Sequence, residues 1–147
     1  MGLDMYLNAK RFLWHNEDEL ANKIAEHLPE INGKRVKEIT IEAMYWRKSN
    51  MIHKWFVDNV QDGTDDCGTY EVSRDKLKEL VDIITEVLAK KSNASKLLPN
   101  TAGFFFGSQD YDKYYFEDLK DTKEVLEGLL NNEELNKHWY FEYHSSW

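Results

Sequence analysis

Between Met44 and Gly68 the chain reads MYWRKSNMIHKWFVDNVQDGTDDCG. Arg47, Lys48, His53 and Lys54 fall in a window without a carboxylate, bounded by Glu42 and Asp58. In a chain of net charge −8 this is a local basic island, interleaved with Tyr45, Trp46 and Trp55. Such a set can hold an anion. The guanidinium of Arg47 can grip a phosphate through two parallel N–H bonds, and Lys48 adds a point charge. Trp46 can stack on a base. Asn50 and His53 can hydrogen-bond to its edge. The expected ligand is small, anionic and nucleotide-like, and it is bound without catalysis. The competing structural reading is a solvated helix surface beside a packed tryptophan. Cys67 and His53 offer another possibility, a thiolate–imidazole pair in a small enzyme. A lone cysteine is otherwise an inert, partly buried residue.

Other motifs are incomplete. Asp58, Asp62, Gly63 and Asp66 fit positions of a calcium loop, but Val60 and Thr69 stand where ligand oxygens are needed. A solvated acidic turn is expected there. Gly103 to Asp110, GFFFGSQD, looks like a strand running into a helix start, where backbone N–H groups can hold a phosphate. It lacks the lysine and the glycine spacing of a P-loop. The competing role for its three phenylalanines is packing; Phe106 and Gly107 stand as candidates for the ligand site beside the 44–68 stretch. His15, His27, His138 and His144 have no metal-ligand spacing, so neither a metal nor a cofactor is expected.

The totals bound the function. The chain has 147 residues, with 5 Trp, 8 Tyr and 7 Phe, enough for one domain with a full core. Its acidity argues against double-stranded nucleic acid and anionic membrane as partners. One cysteine excludes an internal disulfide and suits a reduced, cytoplasmic setting. No apolar run approaches the roughly 18 residues of a membrane span, and the N-terminus lacks a signal-peptide core. The acidic surface and many aromatics also support a second class of function, a module that binds another protein.

These residues need elements to position them. Leu3, Met5, Leu7 and Ala9 alternate with polar residues, as in a half-buried strand. Asn16 to Glu19 reads as a helix start. Leu20, Ile24 and Leu28 share a helical face that Pro29 ends, and Asn32-Gly33 marks a turn. From Val36 a second strand puts Ile39, Ile41, Ala43 and Tyr45 on one face. Glu38, Thr40 and Glu42 take the other, which Met44 and Trp46 then continue. Ser49 can cap a helix over about Asn50 to Asn59. Thr69 to Val72 suits a short strand. Ser73 caps a helix with Leu77, Leu80, Val81, Ile84 and Leu88 as its stripe, closed by Lys90 and Lys91. Ser92 to Asn100 reads as a loop and Gly103 to Gly107 as a buried strand. Ser108 or Asp110 begins a long helix carrying Tyr115, Leu119, Leu126 and Leu130. Trp139, Phe141 and Tyr143 alternate in a last strand. The expected fold is a single α+β domain, mainly an antiparallel sheet with about four helices largely on one face.

The blocks YWRK, the Asn50, His53 and Trp55-Phe56 that follow them, the QDG–DC loop and GFFFGS, with the opening MGLDMYL, resemble a set of small bacteriophage and prophage proteins. The resemblance spans most of the chain apart from Asn16 to Asn32 and Asn93 to Asn100. It implies a phage source, a place in the host cytoplasm, and binding of a host protein or a nucleotide signal rather than a particular reaction. The shared blocks contain Trp46, Arg47, Asn50, His53, Trp55, Cys67, Phe106 and Gly107, which are expected around one cleft.

Overall fold

The computed structural model of the chain describes residues 2–14, 18–28 and 36–147. Four strands make one antiparallel sheet: β1 (Asp4–Phe12), β2 (Glu38–Arg47), β3 (Thr69–Val72) and β4 (Tyr140–Ser146), in the order β2-β1-β4-β3. Among the described residues the helices are α1 (Glu19–Glu26), α2 (Asn50–Asn59), α3 (Arg74–Ala89), α4 (Ala94–Leu97), α5 (Lys113–Leu130) and α6 (Glu133–His138). The fold is α+β, as the clean alternation of the first and last strands, here the two inner ones, implied. None of these helices is long and apolar enough to cross a membrane.

The core lies between one face of the sheet and the helices. Leu3, Met5, Leu7 and Ala9 all point into it and are at most 1% exposed. Phe141 and Tyr143 join them from β4, and Leu77, Leu80, Ile84 and Val87 from α3. Tyr115, Leu119 and Leu126 of α5 complete the cluster. The Phe56 and Tyr143 rings stack at 4.0 Å and tie α2 to the centre of the sheet. α3 and α5 pack side by side over this layer.

A β-bulge explains the change of face in β2. Leu7 pairs with Met44, but Asn8 pairs with Glu42, so Ala43 is an extra residue. Because side chains alternate with period two, one inserted residue switches the faces. Ile39 and Ile41 therefore share the core side with Met44 and Trp46. On the open side the register makes rows across the strands. Tyr45, Tyr6, His144 and Thr69 form one row, and Glu42, Asn8, Glu142 and Glu71 form the next.

Helix starts follow their caps. Asp18 accepts the N–H groups of Leu20 and Ala21, Ser73 that of Lys76, and Asn132 that of Leu135. Ser49 precedes α2 but makes no capping bond. The residue that α1 buries is Ala21, while Leu28 is 46% exposed. Asn16, Glu17, Pro29 and the Asn32-Gly33 turn lie outside the described residues.

The segment from Lys90 to Asp112 departs most from expectation. A single-turn 3-10 helix at Lys91–Asn93 and the short α4 occupy the expected loop. Gly103 to Gly107 is a turn, not a strand. The Phe106 N–H donates to the Gly103 carbonyl at 3.1 Å, and any Cβ on Gly103 would sit 2.5 Å from the Phe106 ring. Phe104 is 95% exposed, so three phenylalanines in a row do not share a buried strand. α5 begins after Asp112, whose carboxylate accepts the Tyr115 N–H at 3.1 Å. Asp112 thus takes the capping role expected of Ser108 or Asp110.

Candidate functional site

At the end of β2 the chain turns sharply into α2. Lys48 adopts a left-handed backbone, φ +58°, unusual for a side chain with a Cβ. Its N–H donates to the Leu3 carbonyl at 2.7 Å, and the Leu3 N–H donates to the Phe105 carbonyl at 3.1 Å. The start of β1 is thereby clamped between the turn and the 103–107 segment. Gly107, φ +87°, lies against Lys48 so closely that a Cβ there would be 3.1 Å from the lysine Cβ.

Asn50 holds these pieces together. It is 1% exposed. Its amide donates to the carbonyl oxygens of Phe106 at 3.1 Å and Ser108 at 2.8 Å, and its carbonyl accepts the Thr101 N–H at 2.9 Å. Both amide protons and the carbonyl oxygen are thus engaged. Asn50 is therefore the support of the loop and has no free donor for reading a base.

The result is an open cleft of about 290 Å3 lined by Arg47, Lys48, Asn50, Gly107, Asp112 and Asp118, among others. Arg47 and Lys48 form one side. Neither makes an ion pair among the described residues, which is true also of Lys37, Arg74, Lys78, Lys90, Lys91, Lys96, Lys120 and Lys137. Asp110, Asp112 and Asp118 also line the cleft. Burial pushes the Asp118 carboxyl up from its ordinary value, with the Ser49 hydroxyl beside it pulling the other way. Tyr114, 72% exposed, offers an aromatic ring at the rim.

Trp46 does not reach this cleft as a stacking surface. It is 4% exposed and tilts against Phe56 in the core. Its indole N–H donates to the Thr122 hydroxyl at 2.7 Å, and that hydroxyl donates to the Asp118 carbonyl at 2.6 Å. Trp46 thus braces the α5 wall from behind.

His53 and Phe106 are buried and do not line the cleft. The two rings meet edge-on at 5.2 Å. His53 is 1% exposed, with Nδ1 2.7 Å from the Tyr143 hydroxyl and Nε2 3.0 Å from Asp65. A carboxylate accepts only, so Nε2 carries the proton and, in the neutral ring, Nδ1 accepts from Tyr143. Burial holds the Tyr143 hydroxyl well above its usual range, which keeps it a donor. Trp147 donates to the other Asp65 oxygen at 3.0 Å. Both imidazole nitrogens are engaged, so the thiolate–imidazole pair with Cys67 is not formed. Cys67 sits half-buried in the acidic loop with a left-handed backbone, φ +55°. Asp58 and Asp66, unlike Asp65, are used locally. Asp58 pairs with Lys54 at 2.6 Å, and Asp66 accepts from the Gly68 N–H and the Tyr70 hydroxyl.

Of the nine residues expected at the site, Arg47, Lys48, Asn50 and Gly107 meet in the cleft, while Trp55 is buried in the core against Phe56. His53 and Phe106 support it, Trp46 backs it, and Cys67 lies in the separate loop. Asp112 and Asp118 escaped the sequence reading because nothing local marks them as part of a wall, and Asp110 reads there only as a helix start. Compared with protein-family models, with curated proteins and with solved structures, the chain finds no match.

Proposed function

We propose that the protein binds, without catalysis, a small ligand that carries an anionic group at one end and N–H donors at the other. A nucleotide with an amino-bearing base has this chemistry. The observation that supports the reading is the pair of unpaired cations, Arg47 and Lys48, set beside a cleft in a chain of net charge −8. A phosphate placed there gains charge-assisted hydrogen bonds from Arg47. Asp110 and Asp118 are suited to accept from the base, and Tyr114 takes the stacking role first given to Trp46. The cleft is at the small end of the range for ligand pockets, about 300 to 1,000 Å3, which favours a mononucleotide over a larger molecule. A phage accessory protein that sequesters a nucleotide signal in its host would use such a site.

The test is a thermal-shift screen against nucleoside mono- and diphosphates, cyclic dinucleotides and inorganic phosphate, with Arg47→Ala in parallel. A ligand at a hundred times its dissociation constant adds about 2.7 kcal/mol to stability. The expected result is a shift of several degrees with one nucleotide, lost in Arg47→Ala while that variant melts like the parent. No shift with any compound, or an equal shift in Arg47→Ala, overturns the proposal.

A further inference from the structure

The second face of the sheet carries exposed aromatic side chains. Tyr45 is 42% exposed and Phe12 46% exposed on it. The Tyr6 ring lies 5.3 Å from that of Tyr45 and 6.0 Å from that of His144, so three adjacent strands contribute one aromatic row. Aromatic rings on the open face of a four-stranded antiparallel sheet are a geometry on which single-stranded nucleic acid stacks. The charge of this face opposes that ligand. Asp4, Glu38, Glu42, Glu71 and Glu142 stand on the open side against Lys10 and Arg47. Lys10 is already committed, 2.8 Å from Glu142 and 3.7 Å from Glu38.

The next row adds a second observation. Glu71 lies directly opposite Glu142 on the neighbouring strand. Like charges in that position oppose sheet pairing, and Lys10 pairs with only one of the two. Glu42 and Glu71, both exposed, make no ion pair among the described residues. A cation from outside would relieve this repulsion.

We propose that this face docks a lysine- and arginine-rich segment of a partner protein. Its ammonium or guanidinium groups would sit over the Tyr6 and Tyr45 rings, where the ring quadrupole attracts a cation. Others would pair with Glu42 and Glu71. The surface meets the cleft only at Arg47, and none of Tyr6, Tyr45, Glu42 and Glu71 lines the cleft, so the two sites are separable by mutation at those residues.

The experiment is fluorescence anisotropy with a labelled short peptide of alternating lysine and arginine, at low and physiological salt. Two doubly substituted proteins are compared with the parent. Glu42→Gln with Glu71→Gln removes two charges from the sheet face. Asp75→Asn with Glu86→Gln removes two from exposed positions of α3. The expected result is a loss of affinity of about tenfold or more in the first, equivalent to about 1.4 kcal/mol, and near-parental binding in the second. Equal losses in both would show that only net charge attracts the peptide and would overturn the proposal. So would no binding to the parent, or preferential binding of a labelled oligouridine.

Discussion

The Asn50 side chain donates to the carbonyl oxygen of Ser108 at 2.8 Å, across 58 positions of sequence. With the bonds to Phe106 and Thr101, one buried amide fixes the loop that faces Arg47 and Lys48. The cleft therefore depends on a residue that does not itself meet the ligand.

Replacing Asn50 by alanine strands the Phe106 carbonyl in a buried setting and the Ser108 carbonyl and Thr101 N–H in a partly buried one. Each unsatisfied group costs roughly 1–3 kcal/mol. We expect a loss of about 3 kcal/mol in total, seen as a melting temperature lower by on the order of 10 °C. A change under about 1 kcal/mol in chemical denaturation would contradict the assigned support role.

Thr122 links the tryptophan of β2 to α5. Thr122→Val keeps the shape and removes the acceptor, leaving the Trp46 indole N–H unpaired in the core. The expected cost is about 1–3 kcal/mol. Trp46→Phe should lose less in a Thr122→Val background than in the parent. Strictly additive losses in the double-mutant cycle would show that the two side chains are not coupled.

Asp118 gives a pH dependence of known sign. Its folded-state carboxyl titrates above the unfolded value of 3.8 because burial disfavours the charge. In that interval the folded chain keeps a proton that the unfolded chain has lost, so stability falls as pH rises through it. Asp118→Asn, whose carbonyl can still accept from Ser49, should melt higher than the parent at neutral pH. The two melting curves should converge below pH 3.8. A gap that persists in acid, or a less stable variant at neutral pH, would refute the burial argument.

The sequence disclosed the elements whose signal is local. The alternation of Leu3, Met5, Leu7 and Ala9 and the α3 stripe both rest on a single period, and both are buried as expected except at the end of α3, where Val87 is buried in place of Leu88. The stretches that depend on distant partners were read less well. Three phenylalanines between glycines look like a strand, yet Phe106 folds back over a position where only a missing Cβ leaves room. α6 has a capping Asn132, acidic residues in its first turn and basic ones in its last, but it buries no residue, so no stripe betrayed it. The amide of Asn50 looked free for a ligand because the groups that claim it lie in a different segment. The bulge left one trace, the polar face of β2 turning into Met44 and Trp46.

That bulge gives β2 slack. Ala43 is one residue more than the ladder with β1 requires, since Met44 and Glu42 already oppose consecutive residues of β1. Deleting Ala43 would leave Ile41, Met44 and Trp46 facing inward and Glu42, Tyr45 and Arg47 facing outward. A one-residue deletion, ordinarily ruinous to a strand with a buried face, would here land on a regular ladder. What it would remove is the extra local twist a bulge imparts, and with it the aim of the strand's last residues. The shortened protein should keep its core and misdirect Arg47. Ala43 thus separates what the strand needs to fold from what it needs to point.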